Sequence, residues 1–191
     1  KKPQICMRLY RMENKAGGAS AILLAAGSAS RMGENKLLLS FGGKTPLERS
    51  FLVLFDSGLF EQIVITVSDE SRAEAERLAK RYGKDLPVLL VPGGDTRQES
   101  VHHALLGAVG EVVAIHDAAR FLVDGRIIRD CVESAYKHGS GVAAIPVRDT
   151  LVDQNGGAAP DRDSLLCVQT PQAFLRARYQ AVLNDQAAVG E

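Results

Sequence analysis

A chain of 191 residues with 46% hydrophobic and 24% charged residues has ordinary globular composition, and length for one well-cored domain rather than two. Its 23 basic residues are matched by 23 acidic ones, which argues against a nucleic-acid polyanion as the main partner and leaves open only a local basic cluster inside a cleft. No apolar run approaches the ~20 residues of a membrane span, and the three cysteines, Cys6, Cys131 and Cys167, form no CxxC pair and no zinc spacing, so they read as free thiols of a reducing, cytoplasmic compartment.

Residues 1–19 are basic with scattered apolar positions and lack the apolar core of a signal peptide. They read as a flexible leader, with Met12 a candidate start, ahead of a single domain over 20–191. The apolar run Ala21-Ile22-Leu23-Leu24-Ala25-Ala26 has strand length and stops at Gly27. The small-residue loop that follows carries Arg31 and then Lys36. Small residues let backbone N–H groups approach an anion, and two cations can neutralise it, so this loop reads as a triphosphate site. It fits neither GxGxxG nor GxxxxGK[ST]. The alternative is a strand–helix turn with exposed cations.

Thr45-Pro46-Leu47-Glu48 has the spacing of a capping box with proline in the first helical turn, and predicts a helix over 47–57 stopped at Gly58. Residues 62–67 are nearly all apolar and β-branched, as in a strand covered on both faces. A helix starting at Asp69 or Ser71 runs to Gly83 with a charged outer face, and residues 87–91 form a third strand. The loop Gly93-Gly94-Asp95-Thr96 follows, with a helix over 98–108. Asp95 or Thr96 could simply cap that helix, or the glycine backbone and Asp95 could read a base or ribose edge, with Ser100 one turn into the helix. A fourth strand, 112–115, ends in His116-Asp117-Ala118-Ala119-Arg120. Asp117 there suits a magnesium ion shared with phosphates, or pairs with Arg120 as a structural ion pair. His116 has the weaker functional case, and His102, His103 and His138 read as ordinary helix residues. A long helix opens at Asp124-Gly125-Arg126 and stops at Gly139, and residues 142–145 form a fifth strand that ends at Arg148-Asp149-Thr150.

The rhythm breaks after Leu151. Asn155-Gly156-Gly157 is a hairpin turn signal, and residues 150–152 and 165–168 are expected to pair as an arm. From the residues alone, Arg148-Asp149-Thr150 and Asp161-Arg162-Asp163 read as a solvated hairpin. Gln169-Thr170-Pro171-Gln172 is expected to open a last helix over 173–183. Cys131 and Cys167 read as buried small hydrophobes. The alternation of strands and helices predicts an α/β fold, a Rossmann-like mostly parallel sheet with helices on both faces. Ligands of such sheets bind beyond the carboxyl ends of the strands, where the chemically suggestive loops fall.

In this order, LAAGSASRMG, GGDTRQESV, HDAAR, PVRDT and QTPQAF resemble the 2-C-methyl-D-erythritol 4-phosphate cytidylyltransferases over residues 21–183. The resemblance implies a nucleotide-diphospho-sugar transferase type of fold with a protruding β-arm at about 149–168 that builds a homodimer. It implies transfer of the cytidylyl group of CTP to methylerythritol phosphate, with release of pyrophosphate, in non-mevalonate isoprenoid biosynthesis. By position, Ala25, Ala26, Gly27, Gly94, Asp95, Ser100 and Ala118 match the CTP pocket, and Arg31 and Lys36 the pair that stabilises the transition state. Asp117 matches the magnesium-associated aspartate, and it, Thr150, Arg162 and Thr170 match substrate-side positions, Arg162 with a catalytic part from the arm in the neighbouring subunit's site. Neither a membrane nor a nucleic acid is implied as partner. Ala29, Asn35, Leu37 and Phe121 depart from the family's usual glycine, proline, glutamine and proline. The family domain normally continues past this C-terminus with a strand, a lysine-bearing stretch and a helix. Molybdenum-cofactor and ribitol-phosphate nucleotidyltransferases are the enzyme alternatives, and a catalytically impaired nucleotide-binding module is the alternative of another class.

Overall fold

The computed structural model describes residues 17–27, 35–154, 156–157 and 161–189. Arg31, Ser28 and Ala29 of the first loop, Asn155 of the turn, and Cys6 lie outside these residues. Strand β1 (Ala19–Ala25) is apolar throughout apart from Ser20, and it lies at the centre of the sheet. It pairs in parallel with β2 (Phe60–Val67) on one side and with β4 (Val112–Asp117) on the other. β3 (Val88–Pro92) extends the parallel set beyond β2. The full order is β3-β2-β1-β4-β6-β5, with β5 spanning Ser140–Pro146 and β6 spanning Leu166–Leu175. Only β6 runs against its neighbours, so the sheet is mostly parallel rather than wholly so.

Both faces are covered, which is why the central strands carry near-continuous apolar runs. On one face Leu23, Ile63, Ile65 and Ala114 meet Phe51 and Leu54 of α1 (Pro46–Asp56), Leu78 of α2 (Asp69–Tyr82), and Ile128 and Val132 of α4 (Gly125–His138). On the other, Ile22, Val64, Val113 and Ile115 meet Val101 and Leu105 of α3 (Arg97–Gly107) and Leu183 of α5 (Arg176–Val189). Phe174 of β6 stacks on Tyr179 of α5 with ring centroids 4.6 Å apart.

The caps explain the helix starts. Thr45 accepts a hydrogen bond from the Glu48 N–H and Pro46 follows it. The expected reciprocal bond of a capping box is absent, because the Glu48 carboxylate instead takes Arg77 of α2 at 2.9 Å and so links the two helices. Ser68 with Ser71 and Thr96 with Glu99 form complete capping boxes. Thr96, not Asp95, is therefore the cap of α3. Gly139 ends α4 in a left-handed conformation, φ +89°, that disfavours a side chain.

Three expectations are corrected. The last helix does not begin at Ala173: QTPQAF lies inside β6, with a cis Thr170–Pro171 peptide, and the helix starts at Arg176. Local pattern misread it because Thr-Pro is also a helix-start signal, whereas the tertiary need is a partner for the open side of β4. Val113 pairs with Phe174 and Ile115 with Gln172. The arm is likewise not built from 150–152, which form no strand. Its strands are the ends of β5 and β6, where Ala144 pairs with Val168 and Pro146 with Leu166. Cys167 is exposed on that arm, while Cys131 is buried, its thiol pushed up by burial.

At the edge where the parallel strands begin, a buried polar node ties the layers. Ser20 Oγ donates to Gln62 Oε1 (3.2 Å) and accepts from the Gly110 N–H (2.9 Å). Gln62 Oε1 also accepts from the Val109 N–H, and its Nε2 donates to the Gly107 carbonyl. Ser20→Ala leaves the Gly110 N–H without its acceptor and is expected to cost about 1–3 kcal/mol of stability. Urea unfolding measures it; an unchanged midpoint would deny the node any weight.

Candidate active site

The strand registers bring four loops to one edge. Ala25 ends β1 opposite Val67, Val67 lies opposite Pro92 at the end of β3, and Leu24 lies opposite Asp117 at the end of β4. Because β6 is antiparallel, its early residues Gln169 and Thr170 arrive at this same edge. The β5–β6 arm continues beyond it.

The first and second loops are in contact. A Cβ on Gly93 would stand 2.1 Å from the Ala26 Cβ, so only glycine permits this approach. Ser100 Oγ accepts from the Gly94 N–H (3.0 Å) and donates to the Thr96 carbonyl (3.0 Å), so its hydroxyl shapes the glycine turn. Ala25 is buried, its N–H bonded to Thr66 Oγ1, while Gly27 is open, with nothing within 4 Å of where a Cβ would be. Ala118 is fully buried, its N–H on the Leu24 carbonyl and its carbonyl on Ser50 Oγ. It is a wall of this edge rather than an exposed contact. Asp95 is exposed beside Gly94.

Lys36 is exposed, and the residue before it holds its turn. Asn35 Oδ1 accepts from the Leu37 N–H (3.0 Å), and Asn35 Nδ2 donates to Glu70 Oε2 of α2 (2.8 Å). Leu37 is buried under α1, its carbonyl accepting from the Leu47 N–H. Phe121 stacks on Phe41 at 5.7 Å, joining the segment after Lys36 to the loop after β4. Three of the positions that depart from the family pattern, Asn35, Leu37 and Phe121, thus have structural partners of their own.

Asp117 lies between two guanidinium groups. Arg97 Nε approaches one carboxylate oxygen at 3.2 Å and Arg120 Nε the other at 3.5 Å. Arg97 also reaches Gln172 Oε1 (3.4 Å), and Arg120 donates to Gln169 Oε1. These pairs are partly exposed, so each contributes ~0–1 kcal/mol and can be exchanged for a ligand's charges. Behind them lies His116, fully buried, with its pKa lowered to about 4 by desolvation, so the ring is neutral near pH 7. Thr170 Oγ1 accepts from the Asp117 N–H (3.3 Å) and lies 3.1 Å from His116 Nδ1.

The structure brings Lys36, Gly94, Asp95, Ser100, Asp117 and Thr170 to one edge, with Ala25, Ala26, Gly27 and Ala118 at its base; sequence reasoning placed the first five there as strand-end loops, and gave Thr170 its place only through the family resemblance. Arg162 and Thr150 are exposed on the arm, where Arg162 Nη1 donates to the Arg148 carbonyl (3.4 Å). Among the described residues, neither is hydrogen-bonded or ion-paired to the cluster around Asp117. Sequence reasoning missed Arg97, whose position in the first turn of α3 was the available signal, and it underrated His116. Among the described residues no group of three or more His, Cys, Asp and Glu converges on a metal position. A lone carboxylate at a phosphate site nonetheless suits magnesium, which takes one or two carboxylates and completes its shell with phosphates and water. Beside the cluster, Arg120, Phe121, Leu122, Ile127, Ile145 and Thr170 line part of a cleft of about 460 Å³.

A family model described as 2-C-methyl-D-erythritol 4-phosphate cytidylyltransferase matches residues 19–190. A protein of that name from Geobacillus kaustophilus is 38% identical over 160 residues, 81% of this chain and 70% of its own length. A bifunctional enzyme IspD/IspF from Anaeromyxobacter dehalogenans is 39% identical over 165 residues, 82% of this chain and 42% of its own length. Among solved structures, the 2-C-methyl-D-erythritol 4-phosphate cytidylyltransferase of Thermus thermophilus superposes with a TM-score of 0.71 at 26% identity, covering 91% of this chain and 78% of that one. The 4-diphosphocytidyl-2C-methyl-D-erythritol synthase of Anaerococcus prevotii, at 24% identity, shares the fold with a TM-score of 0.79 over 90% of this chain and 77% of that one.

The contact between Gly93 and Ala26 generates a test of the two-loop site. Gly93→Ala must push the loops apart at ~1–3 kcal/mol, and is expected to weaken nucleoside triphosphate binding about tenfold or more with the circular dichroism spectrum unchanged. Calorimetric titration with CTP measures it, and wild-type affinity in the variant would remove the loop contact from the binding site.

Proposed function

This chain belongs to the 2-C-methyl-D-erythritol 4-phosphate cytidylyltransferase family, and on that premise we propose how its residues transfer the cytidylyl group of CTP to 2-C-methyl-D-erythritol 4-phosphate. The observation that carries the reading is the convergence of Lys36, the Gly93-Gly94 turn, Asp117, Arg120 and Thr170 on one sheet edge. Two anions must meet there. An oxygen of the acceptor phosphate attacks the α-phosphorus of CTP, and a new P–O bond forms opposite the leaving group. The bond to the β-phosphate oxygen breaks, and pyrophosphate departs with that electron pair. Nothing is oxidised, and no covalent enzyme intermediate is needed.

The small residues Ala26, Gly27 and Gly94 admit the nucleotide's backbone-bound phosphates and ribose close to the chain. Ser100 serves by holding Gly94 rather than by touching CTP, and Asp95 is available to the sugar or base edge. Lys36, with Arg31 from the same loop, neutralises the triphosphate and the charge that gathers at phosphorus. Arg97 and Arg120 are poised to exchange Asp117 for phosphate oxygens. Asp117 is the residue that would hold magnesium, and the ion supplies further neutralisation of the triphosphate when bound. Thr170 faces the acceptor side, beside the cleft, and Thr150 and Arg162 serve that side from the arm.

The arm supports the homodimer reading. Leu166 and Val168 on β6 and Ile145 on β5 are large apolar residues with half or more of their surface exposed, next to a cleft walled by Leu122 and Ile127. Contiguous apolar exposure of this kind marks an interface. A second copy covering it would bring its own Arg162 to the neighbouring acceptor site. A cytoplasmic location is part of the same proposal; no helix among the described residues is long and apolar enough to cross a membrane.

Two measurements test this. Lys36→Ala is expected to lose about three orders of magnitude in pyrophosphate release, as for removal of a group that stabilises transition-state charge, with the fold unchanged; near-normal turnover would end its role. Sedimentation equilibrium is expected to give a dimer for the wild type and a monomer for Leu166→Asp, and a monomeric wild type at high micromolar concentration would overturn the arm as a dimer surface.

A further inference from the structure

We infer that Glu70 is a positioning residue for the transfer: through the side-chain amide of Asn35 it holds the turn that carries Lys36, so that the first turn of α2 sets the rate of the chemical step without touching either reactant. The inference rests on the role of Lys36 proposed above. Lys36 is exposed, and a long side chain on an open loop has much rotamer freedom to lose when it meets a ligand. Charge that gathers at phosphorus is stabilised best by a cation already in place. The backbone from which Lys36 extends must therefore be held.

It is held on both sides. Asn35 and Leu38 close a turn with Lys36 and Leu37 at its centre, the Leu38 N–H donating to the Asn35 carbonyl at 2.9 Å. Leu37 is buried, and its carbonyl accepts from the Leu47 N–H of α1 (3.3 Å). On the other side of Lys36 stands Asn35, with both ends of its amide engaged. Its Oδ1 accepts from the Leu37 N–H (3.0 Å), and its Nδ2 donates to Glu70 Oε2 (2.8 Å). Each partner fixes the direction of the amide independently, since a backbone N–H can only donate and a carboxylate can only accept. An amide turned the other way would lose both bonds.

Glu70 is a firm point to hang this turn from. Its helix starts directly after β2, whose last residue Val67 lies opposite Ala25 and Pro92 at the edge of the site. Ser68 and Ser71 close a complete capping box around the first turn. One turn further along α2, Glu74 Oε1 accepts from Thr45 Oγ1 at 2.8 Å and ties the start of α1 to the same helix. Lys36 is thus suspended between α1, through Leu37, and α2, through Asn35. The Asn35–Glu70 bond is exposed, so it contributes less than a buried one. Breaking it nonetheless frees the amide to rotate and weakens the bond to the Leu37 N–H with it.

The full chain with CTP and methylerythritol phosphate tests this. Glu70→Gln keeps an acceptor for Asn35 Nδ2 and is expected to hold kcat within about twofold of the wild type. Asn35→Asp keeps the acceptor for the Leu37 N–H but sets two carboxylates against each other. It is expected to lower kcat about fivefold, the worth of one exposed hydrogen bond to a charged partner, with the CTP KM within about twofold. Combining Asn35→Asp with Glu70→Gln exchanges the two groups: the amide on α2 now donates to the carboxylate on the turn, the net charge is that of the wild type, and kcat is restored. In a Lys36→Ala background Asn35→Asp costs nothing further, since both act through one side chain. Asn35→Asp at wild-type kcat, a double variant no faster than the single one, or the full loss repeated on top of Lys36→Ala would each overturn the inference. Hydrogen exchange of the Leu37 amide, followed by NMR in the free protein, reads the turn without turnover. It is expected to quicken about fivefold in Asn35→Asp and to slow again in the double variant. Were the wild type to release no pyrophosphate with these substrates, the role of Lys36 would fall with the reaction. An exchange rate at Leu37 indifferent to Asn35→Asp would separately deny Glu70 its hold on the turn.

Discussion

Because β6 runs against β4, the residues near its beginning reach the same sheet edge as the residues that end β4. Parallel strands deliver only their carboxyl ends to the ligand side. A sheet of β1 to β4 alone would carry the glycine turns, Lys36 and Asp117, and none of Gln169, Thr170 and Gln172. One reversed strand brings Gln169, Thr170 and Gln172 beside Asp117, where they engage Arg120, the Asp117 backbone and Arg97 respectively. The same strand seats α5 through Phe174 on Tyr179, and carries the arm out past the site. The glycine loops, the residues around Thr170 and the arm are thereby fixed relative to one another by the β4–β6 and β5–β6 ladders.

The parallel half of the fold was legible because each element is announced locally. β1 and β2 are apolar runs, as strands covered on both faces must be, and Thr45, Ser68, Thr96 and Asp124 cap helices where their side chains can accept a backbone N–H. Loops at strand ends then fall on one edge by topology, which is how Gly94, Asp95, Asp117 and Lys36 could be gathered without coordinates. β6 was not legible, because its identity depends on a partner sixty residues earlier in the chain, while its own Thr-Pro imitates a helix start. The arm was misplaced for the same reason: its strands are continuations of β5 and β6, and the turn-flanking residues 150–152 pair with nothing in the ladder. Arg97 escaped notice and His116 was underrated because their importance lies in whom they touch. Nothing about a helix-start arginine or a histidine at a strand end distinguishes them until Asp117 and Thr170 are beside them.

Charge at the site is set by placement rather than by composition. A net charge of zero says nothing of the sheet edge, where Arg97 and Arg120 flank Asp117 and where Lys36 and Asp95 are exposed. Two of those cations are held on Asp117, which keeps them ordered without neutralising them for good: exposed ion pairs are weak, and a triphosphate brings more negative charge than one carboxylate. Were phosphate oxygens to take the guanidinium groups, as proposed, Asp117 would be free to hold a cation that prefers oxygen. The polar groups behind this exchange are treated differently. His116 is neutral near pH 7 and buried, Thr170 is buried beside it, and Thr170 Oγ1 lies within hydrogen-bond distance of both the His116 ring and the Asp117 N–H. A site that must exchange ions at its surface is thus supported by a layer with no charge to exchange.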